Sequence, residues 1–243
     1  MNKVVIVTGG SRGIGAATSR LLATQGYAVC VNYLSRKQEA ESLVTNINQL
    51  GGRAFYFAAD VSDEQQVIKL FDATEQQFGP VTHLVNNAGI LFTQSRLVDL
   101  TLTRFNKVIS TNLTSCFLCC REAVKRMQKG GAIVNVSSLA AKTGSPHEYI
   151  DYAASKGAMD TLTKGLSIEL AADGIRVNGV RPGFIDTEMH ADGGEPNRVQ
   201  RLSPNIPLQR GGEPSEVATA IAWLLSDQAS YVTGTFINVA GGR

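Results

Sequence analysis

The sequence has no long apolar segment and no marked excess of charge of either sign. Its 243 residues include 23 lysines and arginines against 21 acidic residues, a net charge of +2, with no long basic block. Nucleic acid is therefore not an expected partner. The first apolar run, Val4–Val7, stops at two glycines and is too short for a secretory signal or a membrane span. We therefore expect a cytoplasmic protein with no membrane partner.

Cysteine and histidine are also scarce. Four cysteines and three histidines occur, and the histidines are scattered singly along the chain. Cys116, Cys119 and Cys120 cluster in one helical-looking stretch, but a zinc site would need a second pair or nearby histidines. We therefore predict no metal site and interpret these cysteines as small buried side chains on one helix.

The chain alternates between short β-branched runs and longer segments with helical periodicity. This alternation is typical of βαβ units on a parallel sheet. Hydrophobic residues make up 43% of the sequence, and no repeat or proline-rich linker divides it. We predict one α/β domain over residues 1–243, doubly wound, with helices on both faces of a seven-stranded parallel sheet. The predicted strands are Val4–Val7, Ala28–Tyr33, Ala54–Ala58, His83–Asn86, Ala132–Val136, Arg176–Val180 and Phe236–Val239.

Three segments between the strands have distinctive patterns. Residues 64–78 have the spacing of an amphipathic helix, with either Ser62 or Asp63 as its N-cap. A second long helix is predicted near residues 105–127. Residues 187–212 instead crowd glycines and prolines together, which predicts a long irregular excursion of the kind that forms a substrate lid.

A glycine-rich turn follows the first predicted strand. It reads Thr8-Gly9-Gly10-Ser11-Arg12-Gly13-Ile14-Gly15, and a helix is predicted to begin near Ala16. Glycines at a strand-to-helix turn let the backbone approach a phosphate, and the helix N-terminus supplies free N–H groups and a positive dipole end. The turn therefore fits the pyrophosphate of a dinucleotide. Its glycine spacing differs from G-x-G-x-x-G, so a purely structural tight turn is the alternative when the turn is taken alone.

Two further motifs follow in order along the chain. The fourth predicted strand is followed by Asn86-Asn87-Ala88-Gly89, and Ser137-Ser138 is followed by Tyr152-Ala153-Ala154-Ser155-Lys156. With the glycine turn, this ordered set resembles the short-chain dehydrogenase/reductase family over essentially the whole chain. Within that family the sequence is similar to bacterial 3-oxoacyl-carrier-protein reductases, glucose 1-dehydrogenases and an uncharacterised oxidoreductase subgroup. The resemblance implies a Rossmann-type fold and a nicotinamide-dependent oxidoreductase.

Tyr152 and Lys156 are the strongest catalytic candidates. Four residues apart on a helix, they share a face, and a nearby ammonium should lower the pKa of the phenol from about 10. Such a pair can act as general acid and base, although an exposed Tyr-Lys pair is the alternative for an isolated match. Ser138 follows the fifth predicted strand, where a hydroxyl can donate to a substrate carbonyl. Ser137 competes for that role, and the resemblance favours Ser138.

The resemblance implies a role for each member of a catalytic set. Tyr152 would exchange a proton with the substrate oxygen while the nicotinamide gives or takes a hydride. Ser138 would hold the carbonyl oxygen, and Lys156 would bind the nicotinamide ribose. Asn112 matches the family's fourth catalytic residue, which completes a proton relay. The expected substrate is a small-molecule carbonyl compound or alcohol.

NADP(H) is the expected cofactor. The second predicted strand ends at Tyr33 with no acidic residue to accept from a ribose 2′-hydroxyl, while Arg12, Arg36 or Lys37 can meet a 2′-phosphate. Solvated side chains at Arg36 and Lys37 are the alternative, and use of NAD(H) stays open. By the resemblance, the cofactor-binding positions are Gly9, Ser11, Arg12, Gly13, Ile14, Gly15, Tyr33, Asp60, Val61, Asn87, Ala88, Gly89, Tyr152, Lys156, Pro182, Gly183, Ile185 and Thr187.

Two other functions and the oligomeric state complete the expectations. A sugar dehydrogenase of the glucose type, using NAD or NADP, is the alternative among enzymes. A catalytically silent dinucleotide-sensing protein is the alternative from another class, and such a protein should lack the Tyr-Lys pair that this chain has. Residues 231–239 resemble the segment through which relatives form homotetramers, and would otherwise leave an exposed edge strand. We expect a homotetramer, with a homodimer as the alternative.

Overall fold

The centre of the fold is a seven-stranded sheet in which neighbouring strands run parallel. A computed structural model describes residues 3–243, so residues 1 and 2 of the predicted domain lie outside the described residues. The strands are β1 (Val4–Val7), β2 (Ala28–Tyr33), β3 (Arg53–Ala58), β4 (His83–Asn86), β5 (Ala132–Val136), β6 (Arg176–Pro182) and β7 (Phe236–Val239). The predicted sheet is confirmed, although β3 starts one residue earlier and β6 ends two residues later than predicted.

The central strands β1, β4 and β5 are buried along their whole length and mostly apolar, because both faces of the sheet are covered. All of β1 is buried, and its side chains alternate between two hydrophobic cores. Val5 and Val7 face one core, whereas Val4 and Ile6 face the other. The strand order β3-β2-β1-β4-β5-β6-β7 makes the chain build outward in opposite directions from β1 and β4. In such sheets, ligands bind outside the carboxyl ends of the strands at this switch point.

Within residues 3–243, ten α-helices surround the sheet. They are α1 (Gly13–Thr24), α2 (Lys37–Gln49), α3 (Glu64–Phe78), α4 (Leu102–Ile109), α5 (Ser115–Arg126), α6 (Ala140–Thr143), α7 (Ile150–Glu169), α8 (Met189–Asp192), α9 (Arg198–Leu202) and α10 (Pro214–Leu225). Helices α1, α2 and α10 contribute side chains to one core, and α3, α5 and α7 contribute to the other. The doubly wound arrangement with helices on both faces is therefore confirmed.

Two helix boundaries are explained by single hydrogen bonds. Helix α3 has its predicted bounds, and its N-cap is Asp63, whose carboxylate accepts from the N–H of Gln66 at 2.9 Å. Helix α1 begins at Gly13, before the predicted start at Ala16. The N–H of Ala16 already donates to the carbonyl of Arg12 at 3.0 Å, so the residues between them belong to the first helical turn.

The helix predicted near residues 105–127 is present but not uniform, because a π-helical turn at Ser110–Thr114 lies between α4 and α5. Asn112 lies in this turn and is fully buried. Its Oδ1 accepts from the N–H of Ile90 at 2.8 Å, and its Nδ2 donates to the carbonyl of Ile90 at 3.0 Å. The wider turn directs this amide toward the loop after β4, which uniform helical periodicity does not reveal.

The cysteines are buried, as predicted for the three on α5. Burial raises the pKa of the Cys30 thiol to about 12, so this side chain stays a neutral hydrophobe at neutral pH. In the part of the chain that the structure describes, no group of three His, Cys, Asp or Glu side chains could hold a metal ion. None of the helices among these residues is both long and apolar enough to cross a membrane.

Candidate active site

The glycine-rich turn between β1 and α1 has a backbone that side chains would obstruct. Gly9 and Gly13 lie in the left-handed region, with φ of +58° and +50°. A Cβ at Gly15 would collide with the carbonyl oxygen of Gly9. No side chain caps the N-terminus of α1, so its first N–H groups are free to bind an anion. The turn therefore fits a phosphate group.

Side chains from neighbouring strands hold this turn in place. The Thr8 hydroxyl accepts from the N–H groups of Asn87 and Ala88, both at 3.0 Å. The Asn87 amide donates to the carbonyls of Thr8 at 3.0 Å and Gly9 at 2.9 Å. Asn32, which nothing in the sequence singles out, accepts from the N–H of Gly9 at 3.2 Å and ties the turn to the loop after β3. The turn is thus braced from both neighbouring strands.

The loops after β2 and β3 carry the residues expected at the adenosine end of the cofactor. Tyr33 is buried at the end of β2, and Arg36 pairs with Glu39 on the exposed surface at 3.2 Å. The Asp60 carboxylate accepts from the N–H of Ser62 at 2.9 Å and from its hydroxyl at 2.6 Å. Burial alone would raise the pKa of Asp60. The two hydrogen bonds from Ser62 outweigh this effect, so the pKa lies below its usual value. Other expected positions here are buried or half-buried: Ser11, Ile14 and Val61.

Three of the predicted catalytic residues lie together beyond the carboxyl end of β5. The Lys156 ammonium lies 5.7 Å from the centre of the Tyr152 ring and donates to the carbonyl of Val136 at 2.7 Å. The Ser138 hydroxyl lies close enough to the Tyr152 phenol to lower its pKa. Ser137 points elsewhere, because its hydroxyl donates to the backbone carbonyl of Lys156 at 3.4 Å. Of the two serines, Ser138 is the one that meets the tyrosine.

Asn112 lies behind this group and is linked to it through α7. Its Nδ2 donates to the hydroxyl of Ser155 at 3.1 Å, and that hydroxyl donates to the backbone carbonyl of Tyr152 at 2.6 Å. A Cβ at Gly89 would lie 3.4 Å from Asn112 Oδ1 and 3.5 Å from Lys156 Nζ. The bare backbone of Gly89 therefore passes close to both side chains.

Burial dominates the titration of Tyr152 and Lys156. It raises the pKa of Tyr152, and the nearby Ser138 hydroxyl offsets this rise only in part. The prediction that Lys156 lowers this pKa is therefore wrong for this structure, where the ammonium donates to the Val136 carbonyl. Burial also lowers the pKa of Lys156 from 10.5 to about 8, although Cys116 and Asp160 raise it slightly. At neutral pH the phenol is protonated and the lysine is mostly charged.

A cavity of about 340 Å³ opens above Tyr152, with Ser138 and Lys156 also in its wall. The loop after β6 closes another side of the cavity. Ile185 in this loop forms a single β-bridge to Gly212. The predicted cofactor positions at the end of β6 and in this loop all line the cavity: Pro182, Gly183, Ile185 and Thr187.

Residues 187–212 cross the outside of this cavity. They are less irregular than predicted, because they contain α8 and α9. Three ion pairs attach them to the rest of the protein. Asp192 meets Arg12 of the glycine turn at 2.5 Å, Arg198 meets Glu148 at 2.5 Å, and Arg210 meets Glu216 of α10 at 2.6 Å. Side chains of this segment that line the cavity are Met189, His190, Arg198 and Leu202.

Comparison with known proteins agrees with this arrangement. A family model described as enoyl-(acyl carrier protein) reductase matches residues 9–243. The uncharacterized oxidoreductase YgfF of Escherichia coli (strain K12) is 62% identical over 245 residues, which cover 99% of each chain. The chain belongs to the short-chain dehydrogenase/reductase family.

Two further relatives of this short-chain dehydrogenase/reductase have more specific descriptions. The 3-oxoacyl-[acyl-carrier-protein] reductase FabG of Staphylococcus aureus is 39% identical over 244 residues, covering 100% of this chain and 98% of the relative. A blue fluorescent protein from a metagenomic library, solved in complex with NADPH, is 38% identical with a TM-score of 0.91, covering 99% and 97% of the two chains. The predicted family and its oxidoreductase class are confirmed.

Part of the cavity wall of this short-chain dehydrogenase/reductase is not foreseen from its sequence. Tyr149 is buried in the wall, and the guanidinium carbon of Arg198 lies 5.0 Å from the centre of its ring. Arg198 is itself buried, between Glu148 and Glu195. In the sequence, only the position of Glu148 and Tyr149 just before Tyr152 indicates that these two residues lie near the site. Arg198 carries no such signal, because a charged residue in a glycine-rich segment is normally solvated.

Proposed function

We propose that this short-chain dehydrogenase/reductase interconverts a small carbonyl compound and its secondary alcohol with NADP(H), with Tyr152 as the general acid and base. One observation carries the proposal. The Tyr152 phenol, beside Ser138 and near the Lys156 ammonium, faces a cavity at the carboxyl ends of the strands. When bound, the nicotinamide supplies or accepts the hydride.

In the reduction direction, Tyr152 donates its proton to the substrate oxygen. Its raised pKa keeps the phenol protonated at neutral pH. Ser138 donates a second hydrogen bond to the same oxygen, so two donors stabilise the negative charge that develops there. The Lys156 ammonium then gives a proton to the phenolate that remains, which restores the phenol and leaves the lysine neutral. Asn112 is assigned to the path by which Lys156 regains a proton. Its Oδ1 and the Nζ of Lys156 lie beside the same residue, Gly89, at 3.4 and 3.5 Å from where a Cβ of that glycine would be.

The rate of reduction should depend on the charge of Lys156. Because the pKa of Lys156 is lowered to about 8, the side chain is charged below that pH and neutral above it. Tyr152, with its raised pKa, is still protonated at pH 8. We expect kcat/KM for reduction to be level below pH 8 and to fall as the pH rises through 8, as a pH profile will show. A profile that stays level to pH 10 would contradict the role of Lys156.

The cofactor proposal rests on the glycine turn and the end of β2. The uncapped N-terminus of α1 and the bare glycine backbone suit a pyrophosphate. Tyr33 ends β2 without a carboxylate, and Arg12 lies on the turn, which favours the 2′-phosphate of NADP(H). The remaining positions are assigned to the two ends of the cofactor. The adenosine end takes Asp60, Val61, Asn87, Ala88 and Gly89. The nicotinamide carboxamide takes Pro182, Gly183, Ile185 and Thr187. NAD(H) is the second candidate.

Replacing Asp192 with asparagine should strengthen NADPH binding. Asp192 holds the Arg12 guanidinium at 2.5 Å and so competes with a cofactor phosphate for it. An ion pair this exposed is worth about 1 kcal/mol at most, so Kd for NADPH should fall by up to about fivefold in a fluorescence titration. If Arg12 meets the 2′-phosphate, NADH binding does not change. Unchanged or weaker NADPH binding would show that Asp192 is not a competitor.

The proposed function is tested by following the absorbance of the reduced nicotinamide. Purified protein is mixed with NADPH or NADH and a panel of ketones, and with the oxidised cofactors and a panel of sugars and secondary alcohols. Oxidation of NADPH by ketones is the expected result. Activity confined to sugars would favour a glucose-type dehydrogenase, and cofactor binding without turnover would favour a silent dinucleotide sensor.

We further propose that the chain is one domain, in which residues 187–212 act as the substrate lid. We also propose that the protein is cytoplasmic and forms a homotetramer. Large apolar side chains are exposed on two sides of the fold, with Phe117 on α5 and Trp223 on α10. The edge strand β7 pairs only with β6 among the described strands. Burial of these surfaces against further copies would remove both liabilities. Light scattering that gives the mass of a monomer would contradict the assembly.

A further inference from the structure

The cavity above Tyr152 contains charged side chains that the proposed reaction does not use. Glu148, Arg198 and Arg243 line it together with apolar residues such as Leu91 and Leu202. In a pocket that is mostly apolar, a few fixed polar groups decide which substrates bind. Of these three charges, only one that is not neutralised within the protein is available to a charged substrate.

The charge of Arg198 is neutralised by two carboxylates. Its Nη1 and Nη2 donate to the two oxygens of Glu148 at 3.1 and 2.5 Å, and Nη1 also donates to Glu195 at 2.9 Å. The guanidinium is buried, and these hydrogen bonds use both of its terminal nitrogens. Arg198 and Glu148 are therefore parts of the cavity wall and are not available to a charged substrate.

Arg243 has no such compensation. Its guanidinium carbon lies 5.1 Å from the centre of the Phe184 ring, and the side chain is exposed at the edge of the cavity. Within residues 3–243, no aspartate or glutamate oxygen lies within 4.0 Å of its guanidinium nitrogens. The same ring also faces Arg198, at 5.5 Å. The aromatic ring orients the Arg243 guanidinium through a cation–π contact while leaving its N–H groups free.

The backbone before Arg243 is built to bring it to this edge. Gly241 and Gly242 have φ of +62° and +96°, in the region that favours glycine. A Cβ at Gly241 would lie 2.7 Å from Cγ2 of Ile206, and one at Gly242 would lie 2.9 Å from Cβ of Pro207. Because neither glycine has a side chain, the backbone packs against residues 206–207 and the arginine is held beside the cavity.

We propose that Arg243 is a specificity-determining residue that binds an anionic group of the substrate, a carboxylate or a phosphate, at a distance from the reacting carbonyl. The inference rests on the proposed function, since it concerns the substrate of the same cavity. A guanidinium matches the geometry of both anions and can bind either through two hydrogen bonds. Arg243 is the charged residue at the outer part of the cavity whose guanidinium has no aspartate or glutamate partner among the described residues.

The experiment compares anionic carbonyl compounds with neutral analogues. Acetoacetate and levulinate are each paired with their methyl esters, and dihydroxyacetone phosphate is paired with dihydroxyacetone, with NADPH in every assay. In the unaltered protein, kcat/KM should be higher for the anionic member of a pair. Arg243→Gln should lower this anion-to-neutral ratio by about tenfold, chiefly through KM, and Arg243→Lys should keep part of the preference. Lys142→Gln is the matched control, because Lys142 is exposed on α6 outside the cavity lining and should leave the ratio unchanged.

Each outcome decides a different point. A drop confined to the phosphate pair or to the carboxylate pairs supports the anion site and identifies its ligand. Reduction of the neutral compounds without any preference for the anionic ones overturns the anion site and leaves the proposed function standing. An equal fall of the anion-to-neutral ratio in Arg243→Gln and Lys142→Gln also overturns the anion site, because it would show a general attraction between the positive charges and the anionic substrates. No reduction of any compound overturns the proposed function, and the anion site with it.

Discussion

Replacing Tyr152 with phenylalanine should lower turnover by about a thousandfold or more and leave NADPH binding nearly unchanged. The change removes only the hydroxyl, so the ring beside the Lys156 ammonium stays in place. It removes both the proton donor, typically worth about 10² to 10⁴ in rate, and one of two hydrogen-bond donors to the substrate oxygen. Steady-state kcat gives the first quantity, and a fluorescence titration of NADPH gives the second.

Tyr149→Phe is the matched control for this change. Tyr149 is also buried and lines the same cavity, but the residue four positions later is Ala153 instead of a lysine. Losing this hydroxyl should change turnover by less than about tenfold, since it removes no proton donor to the substrate. Equal losses in the two variants would mean that Tyr152 acts only through packing. Full turnover in Tyr152→Phe would remove the tyrosine from the mechanism.

The architecture could be predicted from the sequence because the buried strands are short and mostly apolar runs. Val4–Val7 and Ala132–Val136 are covered on both faces, so their composition alone marks them as strands of a parallel sheet. The placement of Ser138, Tyr152 and Lys156 at one end of the sheet then follows from the order of the strands. Local pattern and global fold agree at these positions.

What could not be predicted depends on contacts between distant residues. In the π-turn, the Asn112 amide is bonded to Ile90, a residue 22 positions earlier in the chain. The raised pKa of Tyr152 depends on how deeply the phenol is buried and on where the ammonium of Lys156 points. Arg198 is buried because Glu148, fifty residues earlier, pairs with it. None of these contacts has a signal at short range in the sequence.

Replacing Arg104 with methionine should lower the free energy of unfolding by about 3–5 kcal/mol. Asp151, directly before Tyr152, is only 1% exposed, and its carboxylate accepts from Arg104 Nε at 2.8 Å. It also accepts from the N–H of Tyr152 at 2.9 Å, so it is fixed at the start of α7. Without the guanidinium, a buried carboxylate remains with no positive partner, which is far more costly than the loss of an exposed pair. Urea denaturation measures the change.

Two controls separate the buried charge from a general effect of losing an arginine. Arg36→Met breaks the exposed pair with Glu39 and should cost about 1 kcal/mol or less. The double variant Arg104→Met with Asp151→Asn removes both charges and should recover most of the lost stability, because no buried ion is then left unpaired. A double variant no more stable than Arg104→Met alone would show that packing of the Arg104 side chain, and not its charge, holds the start of the helix that carries Tyr152 and Lys156.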